Sequence, residues 1–214
     1  MPRTSHTADV LHGWKSILGF GVLGLALALG LSFTQPLEYS STVKLLILQS
    51  ESGAVDAYTA GRSEERIADD LSTLIYTTTF FDDVMSSGFS IDPKSFPAAD
   101  YARRRAWQQS VSTSVSSGTG FLTITTYHPD VAQAEQLARA IAFVLTKNVN
   151  QYTPGGNVEV QLIDAPLNSR WPVKPDLITN GLSGLFLGGL IGALYVLIRA
   201  ERLRRRHQLP HEAE

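Results

Sequence analysis

Few residues in this chain have types and spacings that suit catalysis or metal binding. Among 214 residues there are five histidines and no cysteine, so a disulfide framework and a cysteine-based zinc site are both excluded. His128 stands alone between two long apolar stretches. It directly precedes Pro129 and a helix start, and one imidazole there reads as structural rather than as a metal ligand. His207 and His211 have the i, i+4 spacing of a helical metal pair, but Pro210 lies between them, and residues 208 to 214 read as a disordered tail. Asp69-Asp70 and Asp82-Asp83 offer the paired carboxylates that acid–base chemistry uses. The 13-residue offset puts the pairs on different faces of one helix, which reads as solvated surface. Ser110, Ser112 and Ser114 alternate with no histidine base at a suggestive spacing. Gly118-Thr119-Gly120 is too short for a phosphate loop, and no Lys-Thr or Lys-Ser follows it, so it reads as a turn. No convergent set results. The sequence points to a non-catalytic protein with no cofactor and no metal.

Two further groups of residues suit contact rather than chemistry. Gly184, Gly188 and Gly192 recur every four residues, which places them on one helix face where a neighbouring helix can approach closely. The neighbour is either the other apolar stretch, through Gly19, Gly21 and Gly24, or a second subunit. Arg199, Arg202, Arg204, Arg205 and Arg206 follow at once, five positive charges against Glu201. Such a cluster suits anionic lipid or an acidic cytoplasmic partner. Arg103, Arg104 and Arg105 point three ways around a short helix. They read either as a solvated face with inter-subunit salt bridges or as a contact for an anionic glycan or lipid head group.

The elements that position these groups begin with the apolar stretches. Leu177 to Ile198 is 22 residues without a charge, a helix of ~33 Å against a hydrocarbon core of ~30 Å. Ile17 to Phe33 is a second stretch of 17 residues, flanked by Trp14 and Lys15 in the manner of an interfacial anchor. A cleaved signal peptide is the alternative for it, opposed by a long apolar core and the lack of a small-x-small site. Arg3 and Lys15 precede the first stretch and the arginine cluster follows the second, so both termini are expected in the cytoplasm. The expected organisation is a cytoplasmic N-terminus over 1–16, a transmembrane helix over 17–34, an extracytoplasmic domain over 35–176, a second transmembrane helix over 177–198 and a basic cytoplasmic tail over 199–214. From Gln35 to Asp176 there are 16 acidic and 11 basic residues, a net of -5. A nucleic-acid binder would concentrate lysine and arginine on its folded domain, and this chain does the reverse.

Within 35–176, the parity of Tyr39, Ser41, Val43, Leu45 and Ile47 predicts a strand, and Ser50 to Gly61 reads as a loop. Ser63 is the expected N-cap of a helix carrying Ile67, Leu71, Leu74 and Ile75. That helix is expected to break near Thr77 to Thr79, continue to Ser87 and stop at Gly88. Pro93 to Pro97 reads as a turn and Ala98 to Gln109 as a short helix. Ser110 to Val115 and Phe121 to Tyr127 form a hairpin. Asp130 caps a long helix that ends near Gln151. Val158, Val160 and Leu162 mark a last strand reaching Asp164. The order predicts an α+β, ferredoxin-like βαββαβ domain between two transmembrane helices, its first and last strands central, adjacent and joined to the two spans.

The ordered set resembles the Wzz-type polysaccharide chain-length regulators, or polysaccharide co-polymerases, in the short form that serves as membrane adaptor for bacterial tyrosine kinases. The resemblance rests on the first span followed by the strand around Tyr39 to Ile47, and on Ser117 to Leu145 with its strand, turn and alanine-rich helix. The turn carries Pro129-Asp130 in an order reversed from the family's. Leu162 to Pro166, and Pro172 to Pro175 before a glycine-rich span and a basic end, complete it. The resemblance implies a homo-oligomeric, ring-forming scaffold in the bacterial inner membrane. Its partners would be the lipid bilayer and a tyrosine kinase, polymerase or export protein, with no nucleic acid. The long helices of the large regulators are missing, and the absence of a Walker motif implies a kinase on a separate chain. A membrane-tethered sensor or assembly scaffold unrelated to glycans is the competing reading.

Overall fold

A computed structural model describes residues 13–49, 57–153 and 158–208, with side chains described up to Arg202 at the C-terminal end. The described residues form two compact units: Leu37–Val173, and the segments that flank it on both sides.

The central unit is mixed α and β, with a four-stranded antiparallel sheet in the order β2-β3-β1-β4. The strands are β1 (Tyr39–Gln49), β2 (Val111–Val115), β3 (Phe121–His128) and β4 (Val158–Asn168). β1 and β4 are adjacent, as expected, but β4 lies at an edge; the central pair is β1 and β3. Alternation along β1 and β3 fixes the register of the core. Val43 pairs with Ile124 and Leu45 with Leu122, and all four are fully buried. A one-residue slip would expose them together. β4 runs to Asn168, past the expected end at Asp164; its register against β1 shifts between Thr42 and Lys44, which leaves Pro166 out of the paired positions, as suits a residue without an N–H.

Four helices lie in this unit: α2 (Ala57–Leu74), α3 (Thr78–Met85), α4 (Asp100–Ser110) and α5 (Val131–Tyr152). A 3-10 turn spans Pro93–Ser95, within the expected turn region. α2 is already helical at Ala57, so Ser63 is no cap; its hydroxyl donates instead to Gln49 Oε1 at the end of β1. Residues 57–61 are therefore helix rather than loop, and 50–56 lie outside the described residues. The expected break is present. Thr77 caps α3, its Oγ1 accepting from Phe80 N at 3.3 Å. The Ile75 carbonyl, released from helical bonding there, accepts from the buried Trp107 Nε1 at 2.7 Å. Trp107, Phe81 and Phe96 pack edge to face around that break. Asp130 caps α5 through Ala132 N at 2.8 Å.

The flanking segments form an antiparallel pair of helices, α1 (Trp14–Ser32) and α6 (Leu177–Gln208). Both are long and apolar enough to cross a membrane. α6 does not stop at Ile198: it carries the arginine cluster on further helical turns. Leucines, isoleucines and phenylalanine on the outer sides of the pair are exposed, among them Leu23, Leu27, Leu31, Phe186, Leu190 and Leu194.

Candidate functional site

The helix pair is built around its glycines. A Cβ at Gly188 would collide with the Phe20 carbonyl oxygen, and one at Gly24 with the Gly184 carbonyl oxygen. A Cβ at Gly192 would lie 2.8 Å from Ile17 Cα. Only glycine lets these backbones meet at such separations, so the small residues set the interhelical distance. Gly184, Gly188 and Gly192 thus face α1 of the same chain through Phe20, Gly21 and Gly24. Gly19 takes no part, since a Cβ there meets open space. One polar contact fixes the register. Asn180 Nδ2 donates to Ser32 Oγ at 2.9 Å, and Ser32 Oγ donates to the Ala28 carbonyl at 2.9 Å. Phe20 and Tyr195 close the other end with ring centroids 5.4 Å apart. Asp176 starts α6, accepting from the Thr179 hydroxyl at 2.6 Å and from the N–H groups of Thr179 and Ile178. Those bonds, the Thr179 hydroxyl first, hold its carboxyl below the usual range.

The three adjacent arginines are separated by the structure. Arg103 pairs with Asp100 at 2.7 Å and lays its guanidinium 5.7 Å from the Phe81 ring centroid. It covers the aromatic cluster and is structural in part. Arg104 and Arg105 are exposed. At the end of α6, Arg199 and Arg202 are exposed; Arg204, Arg205 and Arg206 continue the helix, with side chains outside the described residues. His207 shares that position, and His211 lies beyond the described residues.

Ser95 is the partner that sequence reasoning missed for His128. Ser95 Oγ lies 3.0 Å from His128 Nε2, and Asp130 N donates to Nδ1 at 2.9 Å. Nδ1 also lies 3.2 Å from the Asp130 carbonyl oxygen, so both ring nitrogens are engaged locally. The pair ties the 3-10 turn to the start of α5. Nothing local announces it, since 33 residues separate the partners.

The aspartate pairs lie on two helices, α2 and α3, rather than on one. Asp69, Asp70 and Asp82 are exposed, and Asp83 accepts from the Tyr152 hydroxyl. Burial, then that hydrogen bond, pushes the Tyr152 pKa up to about 12. Ser110 ends a helix with its Oγ on the Ala106 carbonyl, while Ser112 and Ser114 are exposed on β2. Gly118 has φ +73° in the hairpin turn, and its N–H donates to Glu65 Oε2 at 2.9 Å. That turn packs on α2, where a Cβ at Gly61 would lie 2.8 Å from the Gly118 carbonyl oxygen.

One open groove lies between α5 and β4, with a volume of about 320 Å³ and walls that include Val43, Phe89, Phe143, Leu162 and Pro166. Arg139 lines it too, paired with Glu135 at 2.7 Å. Glu135 also accepts from Asn168 Nδ2 at 2.6 Å, and that bond, with Arg139 next, holds its carboxyl below the usual range.

Compared with known proteins, the chain matches no family model and no curated sequence.

Proposed function

We propose that the protein is a non-catalytic, oligomeric scaffold of the bacterial inner membrane that regulates the polymerisation, chain length or export of a surface polysaccharide. In this reading α1 and α6 span the bilayer, both termini are cytoplasmic, and the central unit is a ferredoxin-like domain outside. The observation that carries the reading is the adjacency of β1 and β4. These two hydrogen-bonded strands are the ones that the chain continues into the two membrane-length helices. A displacement of the sheet is then passed to both spans at once. The strand order β4-β1-β3-β2 with βαββαβ connections supports the ferredoxin-like assignment. The exposed apolar sides of the helix pair support bilayer insertion, since a soluble protein would bury them. The polysaccharide assignment rests on the resemblance to the chain-length regulators.

The test removes only the cytoplasmic signal. Arg204, Arg205 and Arg206 are changed to glutamine, with Arg199 and Arg202 kept to preserve orientation. The variant should stay in the membrane and oligomerise, while the amount or size distribution of surface polysaccharide shifts. Deletion of the gene with unaltered polysaccharides refutes the proposal. A second reading, a membrane-tethered sensor, is favoured by the groove between α5 and β4, whose apolar walls suit a small apolar ligand.

A further inference from the structure

The last turn of chain in the central unit presents a tryptophan that nothing in the unit covers. Beyond β4, Ser169 N donates to the Ser40 carbonyl at 2.8 Å and Val173 N to the Glu38 carbonyl at 2.8 Å. A third bond runs from Ser40 N to Ser169 Oγ at 3.0 Å. These bonds pin both ends of a three-residue loop, Arg170, Trp171 and Pro172, against the start of β1. Trp171 is nevertheless 79% exposed, and Arg170 is exposed beside it. Leu37, Leu167 and Val173 add exposed apolar surface in the same two segments, at 59%, 75% and 40%. A pinned backbone with an uncovered indole is a surface prepared for a partner. The other two tryptophans differ in kind. Trp107 is buried at 1%, and Trp14 begins α1.

We propose that Arg170 and Trp171, with the exposed Leu37 in the segment that precedes β1, form a docking edge for phospholipid head groups of the membrane that α1 and α6 cross. Chain length decides the partner. Trp171 is six residues from Leu177, the first residue of α6, so it lies at most ~20 Å from that point. Leu37 is five residues from Ser32, the last of α1, and at most ~17 Å away. The head-group layer on each side of the hydrocarbon is ~5–7 Å deep, within reach of both. An indole has an apolar body and one N–H, the combination that settles at this depth. Arg170 supplies the charge complementary to lipid phosphate. The edge ties the end of the central unit to outer-leaflet head groups close in sequence to the start of α6. This inference rests on the reading of α1 and α6 as spans.

The full chain is reconstituted as Trp14→Phe in phosphatidylcholine vesicles, with and without phosphatidylglycerol and with a nitroxide on the lipid head group. Trp107 and Trp171 are then the only emitters, and quenching reports either leaflet, so insertion orientation does not matter. In phosphatidylcholine alone, head-group nitroxide should quench the Trp171 share of the emission in part, and should quench none from the Trp14→Phe, Trp171→Phe double variant. Phosphatidylglycerol should deepen the quenching, and Arg170→Gln should abolish that gain. Protein that floats with the vesicles but is quenched no more than the double variant overturns the docking edge and leaves the spans standing; a polypeptide partner on Trp171 gives that result. Protein that fails to float overturns both.

Discussion

Replacing Gly188 by leucine should open the helix pair, whereas the same change one residue later should not. A Cβ at Gly188 meets the Phe20 carbonyl carbon at 3.0 Å and Gly21 Cα at 3.1 Å, besides the Phe20 carbonyl oxygen. These are backbone atoms and cannot rotate away. Carbon contacts settle at ~3.5–4.0 Å, so the first added carbon alone demands a separation of ~0.5–1 Å. A gap of that size forfeits about a quarter to a half of each seam contact. Overpacking of this kind costs ~1–3 kcal/mol. Loss of the Asn180–Ser32 hydrogen bond adds ~1 kcal/mol by the measured scale of interhelical bonds in membranes. The sum, about 2–4 kcal/mol, is a roughly 30- to 700-fold shift from paired to separated helices. A Cβ at Gly189 meets nothing within 4 Å, so Gly189→Leu is the matched control on the adjacent residue. The chain has no cysteine, which allows a clean assay. Phe20→Cys with Tyr195→Cys, joined by a short thiol cross-linker in membranes, reports the paired state. Cross-linking should fall steeply in Gly188→Leu and stay at the parent level in Gly189→Leu. Equal rates in all three would refute the argument that glycine sets the interhelical distance.

Other outcomes follow from the central unit, each read on the full chain in detergent. Tyr152 has a raised pKa when folded, so its contribution is complete below its ordinary value of 10.0 and is lost as pH rises toward about 12. Tyr152→Phe should remove that alkaline loss from the difference between unfolding midpoints. Glu135 has a lowered pKa, so its contribution is present above its ordinary 4.5 and is lost as pH falls below it. Glu135→Gln should flatten that part of the acid unfolding profile. Asp130→Ala removes the cap of α5 and should cost ~0.5–2 kcal/mol in denaturant unfolding. Trp107→Phe strands the Ile75 carbonyl in the core and should cost ~1–3 kcal/mol.

What the sequence made legible was periodic or locally capped. Ser41, Val43, Leu45 and Ile47 announce one face of β1 by parity, and all four are buried. The β-branched run at Thr77 to Thr79 announces the break between α2 and α3, because a threonine hydroxyl can replace a helical partner. Asp130 announces α5 by its own carboxylate. What stayed hidden depends on tertiary contact. Ala57 to Gly61 has weak helix propensity and continues α2 upstream, with Gly61 admitting the hairpin turn at Gly118. The strand expected to end at Asp164 runs on past Pro166 through a shift of register against β1 that only the pairing reveals. The edge strand β2 is blunted at Thr113, whose N–H donates to Tyr76 Oη at 3.0 Å, a contact 37 residues apart that no local pattern foretells. The glycine spacing named the packing face of α6, but only the structure selects α1 of the same chain as its neighbour. The arginine triplet could not be divided by type; the Phe81 ring and Asp100 claim Arg103 and leave Arg104 and Arg105 exposed.

The claim on which the scaffold reading stands is a domain outside the membrane held by two spans with both termini inside. Single cysteines at His6, Arg105 and His211, placed one at a time in the cysteine-free chain, test it directly against a membrane-impermeant maleimide on intact cells with a permeabilised outer layer. The account predicts labelling of Arg105→Cys from outside, and labelling of His6→Cys and His211→Cys only after the inner membrane is opened. Labelling of either terminus from outside, or protection of Arg105→Cys, would contradict it.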